Sequence, residues 1–402
     1  MRVEIVKFDN QGRGIGYLND KIIFIPKTVP GDIINVSITL EKKNHMEGRL
    51  LEIITPSKLR QKPVCPYFEI CGGCDLMHIS ISEALDYKLN KVNDILKKNK
   101  IDYQVSEIIK SDNPYNYRDK VTLKVVEGKI GFFQSDTHSL VEINYCYLCK
   151  KIINKLIMDL PKLNINDGEI VIRCNYNDDI LLSITTNDEL ENIDKLINDY
   201  KIVGIVKNDE TIYGENYFID KINNYLFKVS YNSFFQINPF ICSKLFELIE
   251  IYTKESNKVL DLYCGVGTLS IVSSINASSV VGVEIVENAI IDANLNKNFN
   301  GRNNVEFICA DTKDILNKIT NKFDTIILDP PRSGVVRNVL DKIIEVNPNK
   351  IIYVSCDPNT LARDLKLLEN NYEINNFKLL DMFPETEHVE SIVILKNNSN
   401  KM

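Results

Sequence analysis

Cys356 closes the apolar run Ile351-Ile352-Tyr353-Val354-Ser355-Cys356 and lies downstream of Asp329-Pro330-Pro331-Arg332. A thiol at the carboxyl end of a strand is a candidate nucleophile, because a thiolate adds to electron-poor carbon and can later be expelled. The plain alternative is a core cysteine, the usual fate of this residue. Glu390, in Phe383-Pro384-Glu385-Thr386-Glu387-His388-Val389-Glu390-Ser391, stands before the apolar strand Ile392-Val393-Ile394-Leu395. With an ordinary carboxylate pKa of about 4.3 it is expected to be ionised at neutral pH and ready to take a proton. His388 competes for that role, and a solvated glutamate at a strand end is the alternative to both. The two prolines after Asp329 hold the chain extended without donating backbone protons, so they can present Asp329 to a planar substrate.

These groups need a partner molecule, and residues 261–284 offer a place for one. Asp261-Leu262-Tyr263-Cys264-Gly265-Val266-Gly267-Thr268 follows one strand, and Glu284 ends the next about 20 residues later, where a carboxylate can accept from ribose hydroxyls. The third glycine of a dinucleotide fingerprint is missing, and so is the Lys-Ser/Thr pair of a phosphate loop. S-adenosylmethionine is therefore a better fit than a dinucleotide. Pyrimidine C5 is a poor nucleophile, and adding a thiolate at C6 turns it into an enolate that can accept a methyl group; a base must then remove the C5 proton. Methylation at nitrogen needs no thiol, and it remains the rival in which Cys356 is incidental. A binding module without catalysis is the non-enzymatic rival.

A second group of thiols lies near the front. Cys65-Pro66-Tyr67-Phe68-Glu69-Ile70-Cys71-Gly72-Gly73-Cys74 spaces three cysteines by five and two residues, and Cys146 and Cys149 are the nearest later candidates for a fourth ligand. All-thiolate coordination suits zinc or an iron-sulfur cluster, and spacing leaves both open. Cys264 is read as a packing residue of the cofactor turn and Cys309 as a core strand residue.

The elements that must position these groups fall into three parts. Short alternating strands with Gly and Pro punctuation over residues 1–56 predict a small β-barrel. Residues 57–228 read as a central α+β domain, with helical periodicity over 83–100 in which Leu85, Leu89, Val92, Ile95 and Leu96 share one face and lysines lie elsewhere. From 229 to 402, strands alternate with helices, which predicts a parallel α/β sheet. A length of 402 residues accommodates two or three such domains. The net charge of −7 excludes binding of nucleic acid by bulk charge alone. Lys and Arg nonetheless outnumber Asp and Glu by 11 to 7 in residues 1–62, whereas 151–402 holds 26 against 36. No stretch is apolar enough to span a membrane and the amino terminus lacks a signal-peptide block, so the expected address is the cytoplasm. Low complexity is confined to the Asn/Lys-rich last few residues.

Together, Cys65-x5-Cys71-Gly-Gly-Cys74, Ser233-Phe234-Phe235-Gln236-Ile237-Asn238, Asp261-Leu262-Tyr263-Cys264-Gly265, Asp329-Pro330-Pro331-Arg332, Ser355-Cys356-Asp357-Pro358 and the block from Phe383 to Glu390 resemble the RNA 5-methyluridine methyltransferases. The likeness is to the bacterial 23S ribosomal RNA type with a TRAM domain and a [4Fe-4S] cluster, and it covers essentially the whole chain. It implies a Rossmann-like class I methyltransferase domain, an OB-like TRAM barrel in front and a central α+β iron-sulfur domain. By resemblance Cys356 is the nucleophile and Glu390 the base. Gln236, Tyr263, Glu284 and Asp329 contact cofactor or the reacting base, with Thr268 and Asp311 as further contacts, and Cys65, Cys71, Cys74 and Cys146 hold the cluster beside a non-ligating Cys149. The implied activity is uridine C5 methylation in 23S rRNA by a monomer; transfer RNA is the alternative substrate, disfavoured because tRNA-directed relatives generally lack the cluster and barrel. Lys42, Lys43, Arg49 and Arg60 are candidate phosphate contacts. Two departures are Asp357, where Asn is common, and Glu387, where glycine is.

Overall fold

The computed structural model describes residues 1–135, 137–318 and 323–398. The Asn/Lys-rich tail beyond Asn398 lies outside them. Strands Arg2–Phe8, Gly14–Leu18, Lys21–Ile25, Ile33–Glu41 and His45–Thr55 close into a barrel. Alternation along them turns Val3, Ile5, Ile23, Ile25, Ile34, Val36 and Met46 inward as a small separate core.

The central sheet has seven strands in the order Glu210–Gly214, Ile202–Lys207, Ile180–Thr185, Gly168–Cys174, Lys120–Val126, Lys129–Phe133 and Leu140–Glu142. Helix Lys151–Asp159 buries Ile153, Leu156 and Ile157 in the core of this sheet.

The C-terminal sheet runs Val305–Cys309, Ser279–Glu284, Lys258–Leu262, Thr325–Leu328, Lys350–Ser355, Glu390–Asn397, Tyr372–Leu380 and Ile108–Ile109. Its first five strands are parallel, and Glu390–Asn397 enters antiparallel. Nearly continuous apolar sequence in Lys350–Ser355 and Thr325–Leu328 reflects burial on both faces.

Two segments expected in the central part pack here instead. The pair Ile108–Ile109 adds a parallel edge strand to Tyr372–Leu380. Helix Ile81–Lys98, capped by the Ser80 hydroxyl, buries Val92, Ile95 and Leu96 against the C-terminal core. Its lysines do not all lie away from the buried face: Lys88 and Lys91 are buried with it. Lys88, 1% exposed, donates to Asp381 Oδ1 (2.6 Å) and to the Phe383 carbonyl (2.9 Å), and Lys91 binds the Glu387 carbonyl (2.9 Å) and carboxylate. Both turn inward because the loop they meet is polar.

That loop leads to Glu390, and it is held from the cysteine side as well. The backbone N–H groups of Asp75 and Leu76 donate to the Glu385 carbonyl, and the Tyr117 hydroxyl donates to that of Pro384. Removing either Lys88 or Asp381 would leave the other charge buried and unpaired, at a cost of about 3–5 kcal/mol. Glu385 sits there at φ +66°, a left-handed conformation uncommon for a glutamate.

Candidate functional site

Strand order reverses between Lys258–Leu262 and Thr325–Leu328, and a crevice opens outside their carboxyl ends, as expected at a switch point. The cleft measures about 530 Å³. Tyr263, Gly265 and Thr268 line it from the turn after the first strand, Glu284 from the next, Asp329 to Pro331 from the third, and Phe234 to Gln236 from an outside segment. A contiguous pocket of about 210 Å³ shares Tyr263 and Glu284 and adds Asp311.

The turn is built for close approach. Gly265 (φ +53°) leaves open space where a Cβ would stand, whereas a Cβ on Gly267 (φ +84°) would meet the Phe307 ring at 2.5 Å. Tyr263 adopts φ +69°, strain of the kind stored at ligand sites. Glu284 is held by the N–H groups of Gly265 (3.2 Å), Ile285 (2.9 Å) and Val286 (3.0 Å), with an acceptor position open on Oε2. Asp261 is fully buried; Oδ2 accepts from Ser270 (2.6 Å), and Oδ1 has no hydrogen-bond partner among the described residues. Burial raises Asp261 to about 7 despite the Ser270 bond. Open space over Gly265 and a fixed strand-end glutamate with a free acceptor position fit a nucleoside that carries an amino-acid side chain, such as S-adenosylmethionine.

Sheet register brings the chemistry-bearing pair together. Ser355 pairs with Ser391 across antiparallel strands, so the next position outward sets Cys356 opposite Glu390. Asp329 and Arg332 lie within electrostatic reach of both. Burial first, then the Glu390 and Asp329 carboxylates, push the Cys356 thiol up to about 11, against the Arg332 guanidinium. Burial and Asp329 hold Glu390 well above the usual carboxylate range, and burial raises Asp329 to about 7. The expectation that Glu390 rests ionised is thus corrected: at 3% exposure, desolvation of the charge outweighs the nearby cation. In the free protein near neutral pH, Cys356 and Glu390 keep their protons.

This gives a checkable pH dependence. Because only the thiolate is alkylated, iodoacetamide labelling of Cys356, followed by peptide mass spectrometry, is expected to rise about tenfold per pH unit from 7 to 10. A plateau near pH 8 would contradict the raised pKa. Arg332→Met removes the lowering charge and is expected to slow labelling at every pH in that range.

Other expectations meet mixed outcomes. His388 lies 3.0 Å from Glu387, which burial would raise but which His388 and Lys91 together hold down at about 2. Asp357 caps helix Pro358–Leu368 by accepting from Asn359 and Thr360, a task Asn also performs. Cys264 is buried as expected, but Cys309 is exposed, because the last residue of its edge strand passes beyond the core. Arg60 is not free for phosphate: it chelates buried Asp32 at 2.5 Å, while Lys42, Lys43 and Arg49 are exposed. Sequence reasoning did not single out Phe234, which lines the cleft while 73% exposed. Its only signal is a Phe-Phe pair outside any alternating strand.

Cys65, Cys71, Cys74 and Cys146 line one cavity of about 300 Å³ together with Arg118. Cys149 is buried outside that lining and hydrogen-bonds the Cys146 thiol, which it holds below its ordinary range. Among the described residues, no group of three or more His, Cys, Asp or Glu is gathered to hold a single metal ion. Among the described residues no helix is long and apolar enough to cross a membrane.

Comparison with known proteins bears on the whole arrangement. Residues 80–398 match the tRNA (Uracil-5-)-methyltransferase family and residues 1–51 the TRAM domain; Cys65, Cys71 and Cys74 fall between the two matches. The chain is 35% identical to an uncharacterised RNA methyltransferase of Clostridium acetobutylicum, over 98% of this chain and 96% of the relative. It is 31% identical to one of Aquifex aeolicus, over 98% of each. A crystal structure of the Pyrococcus abyssi tRNA (uracil-54, C5)-methyltransferase with S-adenosyl-L-homocysteine superposes with a TM-score of 0.83 at 26% identity, over 98% of this chain and 100% of that one. Cleft, register and kinship agree: the chain belongs to the tRNA (Uracil-5-)-methyltransferase family and is an S-adenosylmethionine-dependent RNA (uracil-C5)-methyltransferase with a TRAM domain.

Proposed function

We propose that the enzyme methylates C5 of a uridine in 23S ribosomal RNA through a covalent adduct between Cys356 and C6. The observation that carries this reading is the register that sets Cys356 opposite Glu390 beside Asp329. S-adenosylmethionine supplies the electrophilic methyl group and a positive charge. The Cys356 thiol and the Glu390 carboxyl, both protonated in the free protein, release their protons to solvent as the site is loaded; the Cys356 thiolate then adds to C6, moving the ring electron pair toward C5 and O4. After C5 has taken the methyl group, ionised Glu390 removes the C5 proton, C5=C6 reforms and the thiolate leaves. Gln236, Tyr263, Glu284 and Asp329 hold the cofactor or the reacting base, with Thr268 and Asp311 as further cofactor contacts. Glu390 is favoured over His388 as base because His388 is turned to Glu387.

The target uridine must leave its stack to reach this crevice, and exposed Phe234 offers a face for it. Lys42, Lys43 and Arg49 on the barrel supply salt-dependent grip. A [4Fe-4S] cluster on Cys65, Cys71, Cys74 and Cys146 would supply a rigid crosslink between their loops. Transfer RNA is favoured as second reading by one specific observation. A tRNA enzyme aligns over 98% of this chain, barrel included, so a front barrel does not disfavour tRNA as the sequence reasoning held.

Incubation with unmodified ribosomal and transfer RNA and labelled S-adenosylmethionine, followed by nucleoside mass spectrometry, is expected to yield 5-methyluridine in 23S rRNA. Product in tRNA alone replaces the substrate, and none in either overturns the reading. Iron and acid-labile sulfide are expected in anaerobically purified protein, lost in Cys146→Ser and retained in Cys149→Ser.

A further inference from the structure

Residues 231–237 carry Phe234 and Gln236 into the cleft yet form no helix or strand, linking strand Tyr225–Ser230 to helix Pro239–Thr253. Something must hold them. The carboxylate of Asp292, on helix Glu287–Phe299, is 3% exposed; its Oδ2 accepts the hydroxyls of Ser230 (2.6 Å) and Ser233 (3.1 Å), and its Oδ1 pairs with the Lys228 ammonium at 2.9 Å. One turn later, Asn296 accepts from the Lys228 N–H (2.6 Å) and donates to the carbonyl of Val266 in the cofactor turn (3.0 Å). The Ser233 carbonyl accepts from Arg173 of the central sheet. The far end is tied too, where Asn238 donates to the Met382 carbonyl (3.1 Å) and Asp119 N–H to that of Ile237 (3.2 Å).

We infer that Asp292 is a positioning residue for methyl transfer: through Ser230 and Ser233 it fixes the segment that presents Phe234 and Gln236 to the RNA base. The kinetic part rests on the reading of the site given above; the mechanical part does not. A buried carboxylate satisfied by two serine hydroxyls and one ammonium is a rigid anchor, and the anchored hydroxyl of Ser233 is one residue from Phe234. The same helix leaves the Glu284 strand end and touches Val266, so cofactor turn and base-facing segment share one support.

The chain contains no tryptophan, so Phe234→Trp installs a single fluorophore on the segment. Time-resolved anisotropy of that variant is expected to show a restrained side chain, and added Asp292→Ala a new sub-nanosecond motion. Asp292→Asn with Lys228→Met is expected to restore restraint, since the amide oxygen still accepts both hydroxyls and no unpaired ammonium remains. Without the tryptophan, Asp292→Ala is expected to lower turnover on RNA by about 100-fold. Should Asp292→Ala not fold, Ser230→Ala with Ser233→Ala keeps the Lys228 pair and must show the same loosening. Unchanged anisotropy in both, or unchanged turnover in a loosened variant, overturns the inference. Loosening in an enzyme that makes no 5-methyluridine supports the anchor and overturns the proposed reaction.

Discussion

Cys356→Ala abolishes methyl transfer, with turnover falling roughly 10⁴-fold or more, while S-adenosylhomocysteine still binds within twofold. The size of the effect follows from the substrate. Uracil C5 has too little electron density to displace a sulfonium methyl unless a nucleophile first adds to C6, the role proposed for Cys356. Alanine fits the space with little strain, because the thiol sits at the sheet edge, outside the packed strand interior. Single-turnover assays with labelled cofactor measure the loss, and calorimetry the unchanged cofactor affinity. Full activity in this variant would favour methylation at nitrogen.

Glu390→Gln separates the two halves of the reaction. The amide fits the same space but cannot take the C5 proton, so the methylated adduct forms and does not resolve. Turnover is expected to drop by about 10²–10⁴-fold, and a protein-RNA species is expected to survive denaturing electrophoresis, absent when Cys356→Ala is added. Stability moves the other way. Folding raises the Glu390 pKa, so the wild type loses stability as pH climbs from the ordinary carboxylate range toward the raised value. Glutamine has no proton to lose. The variant is expected to melt higher than wild type at pH 8 and to match it near pH 4; a lower melting point at pH 8 would mean that Glu390 is stabilised as an anion.

What the sequence made legible is what a parallel sheet makes regular. Glu284, Asp329 and Cys356 each end or directly follow an apolar run, and parallel strands bring such positions to one edge, so their meeting could be read without coordinates. Charge states could not be read this way. Glu390 looked like an ordinary carboxylate because its desolvation comes from neighbours scattered through the chain. Arg60 looked free because Asp32, 28 residues earlier, carries no local sign of pairing. Lys88 falls within the apolar stripe, three residues after Leu85 and four before Val92, and Lys91 lies at its edge, but only the distant loop 381–387 supplies the partners that let them be buried. Asp292 is one polar residue among many in its helix, and its role rests on two serines about 60 residues away.

The edge strand Ile108–Ile109 also sets an order of events during synthesis. Its neighbour Glu107 pairs with Lys378 across 271 residues, and at roughly 5–20 residues per second the partner strand leaves the ribosome tens of seconds later. Barrel and central sheet have all their strands by residue 214, so they can fold while this short strand waits unpaired. Glu390 arrives only with the last strand. On the proposed reading, a nascent chain therefore completes its barrel and central sheet well before it contains Glu390, and the capacity to modify RNA comes only with the strand that carries that residue.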